Sequence, residues 1–134
     1  MARERDIEIL VVDDEGDLRS MLGQFLRREG YRVTEAACGE DALQELSRRG
    51  ANVQLLITDI VMPGMNGCEL AQEVRRTFPH IRRLLMSGYP RGVLEPGAVL
   101  LKKPFSLKVL LQRIEEVLAD TSKSQAVGVS AGSV

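Results

Sequence analysis

The sequence predicts a doubly wound α/β domain, with five parallel strands in the order 2-1-3-4-5 and helices on both faces of the sheet. Three observations predict it. Short apolar runs alternate strictly with stretches of helical periodicity along the chain. Ile7 to Val12 is a nearly unbroken run of Ile, Leu and Val, the composition of a strand covered on both faces. The 134 residues suit one domain whose core needs no disulfide or metal to hold it. Strict strand–helix alternation implies right-handed crossovers, and these give a parallel sheet.

The first strand, Ile7 to Val12, is interrupted only by Glu8. Leu18, Met21, Leu22, Phe25 and Leu26 then recur at helical spacing, and Gly30 closes that helix after Arg27 and Arg28. Tyr31 to Ala36 is the second strand, centred on Val33. Ala42, Leu43 and Leu46 mark the second helix, which Arg48, Arg49 and Gly50 end in the same manner. Leu55, Leu56 and Ile57 form the third strand. Leu70, Ala71 and Val74 belong to a third helix that stops before Pro79. Leu84 to Met86 is the fourth strand and Ala98 to Leu101 the fifth. Between them, Pro90, Gly92, Pro96 and Gly97 work against a regular helix, so the fourth helix of the alternation is expected to be short or absent. The last helix takes Ser106 as its N-cap and carries Leu107, Leu110, Leu111, Ile114 and Leu118 on one face. The domain is expected over residues 1–120. Residues 121–134, rich in Ser, Gly and Ala, read as a flexible tail or linker remnant.

Charge and composition exclude several classes of function. Lys+Arg 18 against Asp+Glu 19 leaves a net charge of −1, with no general drive toward nucleic acid or an anionic membrane surface. No apolar run approaches the roughly 18 residues of a membrane span. The charged N-terminus lacks the apolar stretch of a signal peptide. Two cysteines, Cys38 and Cys68, form no disulfide framework, point to a cytoplasmic protein, and are expected as small packing residues near helix starts. A single histidine, His80, excludes a structural zinc site and is expected on the surface of a loop. The Arg-Arg pairs at 27–28, 48–49 and 75–76 fall in last helical turns, where they favour the macrodipole, rather than on one nucleic-acid-binding face.

In doubly wound sheets, ligands bind beyond the carboxyl ends of the strands. Here the first strand runs into Asp13, Asp14 and Glu15, the third into Asp59, the fourth into Ser87, and the fifth into Lys103-Pro104. Taken singly, these are a helix cap, a turn aspartate, a loop hydroxyl and a surface lysine. Together they converge on one crevice. Converging carboxylates resist joint ionisation unless a cation sits among them. Oxygen-only ligands select a hard ion such as Mg²⁺. Three carboxylates, one lysine and one Mg²⁺ sum to zero, and the ion's remaining positions accept phosphoryl oxygens. The lysine adds a point charge and the serine a hydrogen bond to the same group. Phosphoryl transfer needs mainly positioning and charge neutralisation, and a carboxylate can be its nucleophile.

Four segments, Leu10-Val11-Val12-Asp13-Asp14-Glu15, Thr58-Asp59-Ile60-Val61-Met62-Pro63-Gly64-Met65-Asn66-Gly67, Met86-Ser87-Gly88-Tyr89 and Lys102-Lys103-Pro104-Phe105, resemble the motifs of response-regulator receiver domains. The resemblance keeps the family's order and spacing and covers about residues 7 to 119. It implies a flavodoxin-like fold and a phosphoacceptor role in two-component phosphorelay signalling. By it, Asp59 would be the phosphoacceptor and Lys103 would pair with the phosphate. Ser87 would hold a phosphoryl oxygen. Asp14 would bind Mg²⁺ directly and Asp13 largely through water, with Asp59 and the backbone carbonyl of Val61 as further ligands. The Lys103–Pro104 bond, often cis in the family, would aim the lysine inward.

The same resemblance implies a sensor histidine kinase or phosphotransfer protein as partner, and no nucleic-acid or membrane contact by this domain. The chain would catalyse only its own phosphorylation and dephosphorylation. Met86 to Tyr89, with Gly92 to Gly97 after it, looks most like receivers of hybrid sensor kinases. One departure is Leu100, at the position where family members that switch through an aromatic carry Tyr or Phe. Three other readings compete. A Mg²⁺-dependent phosphohydrolase with an aspartate nucleophile would need an acid two residues after Asp59, where Val61 stands. A flavin protein of this fold would need a hydroxyl-rich phosphate loop where Asp13-Asp14-Glu15 stands. A degenerate receiver that only docks would not need the intact residue set.

Overall fold

The computed structural model describes residues 6–88 and 97–119. The shortened helix expected between the fourth and fifth strands lies outside the described residues, as does the tail expected over 121–134. The chain falls into two units, one ending at Pro104 and one beginning at Phe105.

The first unit contains β1 (Glu8–Val12), α1 (Gly16–Arg28), β2 (Arg32–Ala36) and α2 (Gly39–Arg49), then a 3₁₀ turn over Gly50–Asn52. β3 (Val53–Asp59), α3 (Gly67–Thr77), β4 (Arg82–Ser87) and β5 (Val99–Lys102) follow. The five strands form one sheet in the order β2-β1-β3-β4-β5, and every pairing is parallel. Every residue of the central β1 is buried, which explains its apolar run. Leu10 and Val12 join Ala36, Leu56, Ala42, Leu46, Leu70 and Val74 in one core cluster beneath α2 and α3. Strand periodicity turns Ile9 and Val11 to the other face. There α1 lies along β1 and β2 and buries Leu22 and Leu26.

Glu8, the one polar residue in β1, is buried at 3% exposure, and Arg49 from the last turn of α2 forms an ion pair with it. Arg49 Nε lies 3.1 Å from Glu8 Oε2, and the Thr34 hydroxyl donates to the same oxygen at 3.4 Å. Arg49 therefore does more than complement a helix dipole.

The two glycines expected to close helices behave differently. Gly30 has φ +100 and is the left-handed stop that the sequence suggests. Gly50 was expected to act alike, but its backbone stays right-handed at φ −59 and continues into the 3₁₀ turn. Its reason is steric: a Cβ there would lie 2.6 Å from the Phe78 ring. His80 is exposed, as expected, and its Nε2 lies 2.9 Å from the Gly50 carbonyl oxygen. Cys38 and Cys68 are half-buried and placed at the starts of α2 and α3.

The second unit contains α4 (Leu107–Ala119). Ser106 caps it, its Oγ accepting the Val109 N–H at 3.1 Å. The helix buries Leu110, Ile114 and Val117. Leu107, Leu111 and Leu118, expected on the buried face, are half-buried, so that face sits slightly rotated from the one the leucines suggest. No helix among the described residues is long and apolar enough to cross a membrane.

Candidate functional site

Strand register brings the carboxyl ends of the sheet level. Val12 pairs with Thr58, Asp59 with Met86, and Ser87 with Lys102. The first residue beyond β1, Asp13, still donates its N–H to the Ala36 carbonyl at 3.2 Å. Lys103, the first beyond β5, donates its N–H to the Ser87 carbonyl at 2.8 Å, and the cis Lys103–Pro104 bond follows. Short continuations of the ladder thus carry the polar side chains into one place.

Asp13, Asp14 and Asp59 each bring a carboxylate oxygen within 4.8 Å of the others. Asp13 is fully buried, Asp59 is 9% exposed and Asp14 is exposed. Lys103 Nζ lies 3.2 Å from Asp59 Oδ1. Ser87, 1% exposed, ends the strand between them. Val61 stands two residues beyond Asp59 and is 69% exposed, and its aliphatic side chain has no donor for a cation.

The carboxylate least provided for is Asp13. Its Oδ1 accepts the Glu15 N–H at 2.9 Å, whereas Oδ2 is buried with no hydrogen-bond partner among the described residues. Burial pushes the Asp13 carboxyl above its ordinary value. The Glu15 amide opposes that shift, the Asp59 charge adds to it, Lys103 opposes it, and Asp14 adds again. An orphaned buried oxygen among three converging carboxylates is a donor set whose negative charge Lys103 offsets only in part. The donors are all oxygen, which fits a hard divalent cation.

The loop after β3 fixes Asp59 from behind. Ile60 donates its N–H to Met86 O at 3.0 Å, and Gly67 donates its own to Ile60 O at 2.8 Å. The Thr58 hydroxyl donates to the Asp59 carbonyl at 2.9 Å. Gly67 is packed so closely that a Cβ would lie 2.1 Å from that same carbonyl oxygen. At Gly67 the structure shows a close approach of two backbones. Gly64, at φ +75, supplies the turn, and Asn66 with Glu69 forms a capping box that starts α3.

Sequence reasoning missed two residues. Arg19 Nη1 donates to the Asp13 carbonyl at 2.7 Å, and Arg19 Nε lies 3.4 Å from Glu35 Oε1. The available signal was Gly23, a glycine inside a helix, where a Cβ would lie 2.5 Å from Glu35 Oε2. A surface groove of about 940 Å³ runs along α3 between Met65 and Pro79, and no strand-end carboxylate lines it.

The arrangement can neutralise and hold a phosphoryl group beside a carboxylate nucleophile. With Val61 two residues after Asp59, the second acid of an aspartate-nucleophile phosphohydrolase has no place. Acids in the loop after β1 would repel the phosphate of a flavin.

Comparison with known proteins agrees with this geometry. The family described as the response regulator receiver domain matches residues 9–115. The sensor kinase CckA of Brucella abortus is 36% identical over 116 residues, which cover 82% of this chain and 12% of that protein. The response regulator receiver protein CpdR of the same organism is 35% identical over 116 residues, covering 82% of this chain and 95% of CpdR. Among solved structures, the receiver domain of the hybrid histidine kinase CckA superposes with a TM-score of 0.75 at 37% identity, covering 83% of this chain and 98% of that one. The response regulator TrrA of Thermotoga maritima, in complex with Mg²⁺ and BeF, also gives 0.75, at 34% identity and the same two coverages.

Proposed function

The chain belongs to the response-regulator receiver family, the signalling modules of two-component systems, and on that premise we propose that Asp59 is the acceptor of a Mg²⁺-dependent phosphoryl switch. The observation that carries this is the meeting of Asp13, Asp14 and Asp59 within 4.8 Å, with Lys103 3.2 Å from Asp59. Asp13, Asp14, Asp59 and the backbone carbonyl of Val61 would hold the ion, and TrrA, a relative of known structure, binds Mg²⁺ with BeF. Bound Mg²⁺ supplies the charge that the carboxylates lack and open positions for phosphoryl oxygens.

The remaining work falls to the side chains. An Asp59 oxygen attacks the phosphorus of a partner's phosphohistidine; the P–N bond breaks, and the Asp59 side chain becomes an acyl phosphate. Lys103 balances the negative charge gathered at Asp59, and the buried Ser87 hydroxyl donates to a phosphoryl oxygen. The donor is a sensor histidine kinase or phosphotransfer protein, as the similarity to the CckA receiver supports. The chain catalyses only its own phosphorylation and dephosphorylation. The receiver spans residues 1–120 and works in the cytoplasm. Leu100, half-buried and opposite Leu85 in the β4–β5 register, replaces the aromatic of ring-switching relatives. The phosphorylated state is therefore read out without a ring rotation at that position.

The test is labelling of the purified chain with acetyl phosphate. Label should appear with Mg²⁺, vanish with EDTA, and be absent from Asp59→Asn. Full labelling of Asp59→Asn would overturn the assignment.

A further inference from the structure

We propose that Arg19 is a positioning residue for the metal site: through its bond to the Asp13 carbonyl, braced by Glu35, it sets the peptide plane that joins Asp13 to Asp14. The inference rests on the reading of the strand-end carboxylates as a Mg²⁺ site. The Asp13 carbonyl belongs to the peptide between the two neighbouring acids. Because that unit is planar, fixing its oxygen fixes the Asp14 N–H and the Asp14 Cα, the point from which the Asp14 side chain leaves the backbone. Asp13 has other restraints, its N–H on Ala36 and its Oδ1 on Glu15. Asp14 is exposed and depends on the peptide plane.

The start of α1 does not provide that restraint by itself. Its N-cap, Glu15, makes no side-chain capping bond. Arg19 enters the helix with its N–H on the Glu15 carbonyl at 3.0 Å, and its side chain folds back to the loop. Glu35 holds the guanidinium in place and is itself held by Arg27, whose Nη2 lies 3.2 Å from Glu35 Oε2 and 3.1 Å from Val33 O. Room for Glu35 exists because residue 23 has no side chain. A glycine inside a helix weakens it, so this opening has a structural cost that the brace explains. The planar fork of arginine reaches the carbonyl and the carboxylate together, which a lysine ammonium does not.

Charge and position make opposite predictions here. A guanidinium beside a cation site repels the ion, so if charge alone mattered, its removal would tighten Mg²⁺ binding. If position matters more, its removal weakens binding. The experiment is a calorimetric titration of the intact chain with Mg²⁺ alone, with no phosphodonor present, for wild type, Arg19→Met and Arg19→Lys. Arg19→Met should weaken Mg²⁺ binding about ten-fold, the lower range for partners that orient metal ligands. Binding as tight as wild type or tighter overturns the proposal. Should Arg19→Met fail to fold, Arg19→Lys carries the test at unchanged charge: weakened Mg²⁺ binding supports the proposal and wild-type affinity overturns it. A wild-type chain that binds no Mg²⁺ would sink the functional reading itself, a result distinct from failure of the Arg19 role.

Discussion

Replacing Asp13 by Asn should make the metal-free protein more stable and leave Mg²⁺ little to stabilise. Two ionised carboxylates with oxygens no more than 4.8 Å apart repel by at least about 3.5 kcal/mol at an effective dielectric constant of 20. Lys103, 3.2 Å from Asp59 Oδ1, offsets part of this. An Asn amide can donate to the neighbouring carboxylates, whereas Asp13 Oδ2 has no hydrogen-bond partner among the described residues. The net gain is expected at about 1–2 kcal/mol, or roughly 5–10 °C in Tm for a domain of about 100 residues.

The effect should depend on pH in a definite sense. The folded state holds the Asp13 proton more tightly than the unfolded chain, whose value is 3.8. The stability this contributes is fully present below that value and is lost as pH rises through the raised folded value. Thermal unfolding followed by circular dichroism, in EDTA and in saturating Mg²⁺, measures both effects. In EDTA, the difference between Asp13→Asn and wild type should widen as pH rises from the acid range toward neutrality. Mg²⁺ should raise the Tm of wild type and barely move the variant. A variant less stable than wild type in EDTA at neutral pH, or equal Mg²⁺ stabilisation of both, refutes the reasoning.

Three other substitutions probe the same framework. Gly67→Ala puts a Cβ 2.1 Å from the Asp59 carbonyl oxygen, and backbone has to move, so a loss of about 3 kcal/mol in urea unfolding is expected; an unchanged midpoint contradicts the close approach. Arg49→Ala leaves the buried Glu8 carboxylate with the Thr34 hydroxyl. It should cost about 2 kcal/mol, less than a fully buried pair because Arg49 is partly in solvent, and Glu8→Gln in the same chain should recover part of that. Lys103→Ala should tighten Mg²⁺ binding by removing a cation beside Asp59 while lowering acetyl phosphate labelling roughly 100-fold. Undiminished labelling would take the lysine out of the reaction.

The sheet and its strand ends were legible in the sequence for one physical reason. A parallel strand covered on both faces has to be apolar along its length, so polar residues collect where it ends. Ile9 to Val12 followed by Asp13-Asp14, and Leu55 to Ile57 leading to Asp59, mark both the elements and the crevice. Glu8–Arg49 and Arg19–Glu35 were not legible. Periodicity reports which face of a helix is buried, and it is silent on where a long side chain reaches across 41 or 16 residues of chain. Gly23, Gly50 and Gly67 were misread or passed over for a related reason. A glycine in sequence suggests backbone freedom, but these three are glycines because a carboxylate, an aromatic ring and a carbonyl occupy the space of their Cβ.

These contacts also explain why the site has an orientation. The cluster of carboxylates is held from two sides by cations that act differently. Lys103 meets Asp59 with its charge, and Arg19 meets Asp13 at the carbonyl and leaves its carboxylate untouched. Glu15 occupies Oδ1 of Asp13 from a third direction. What remains is Oδ2, buried and with no hydrogen-bond partner among the described residues, on a side chain that brings a carboxylate oxygen within 4.8 Å of Asp14 and Asp59. A lysine or arginine placed there would quiet the repulsion permanently and raise the stability of the resting protein. It would also remove the reason for a metal ion to bind. Under the proposed function, the unsatisfied carboxylate is a functional feature in the same sense as a catalytic side chain. In the proposed switch it would keep the attack by Asp59 contingent on a cation, and the overall charge of −1 hides it because most of the compensating arginines sit elsewhere on the chain.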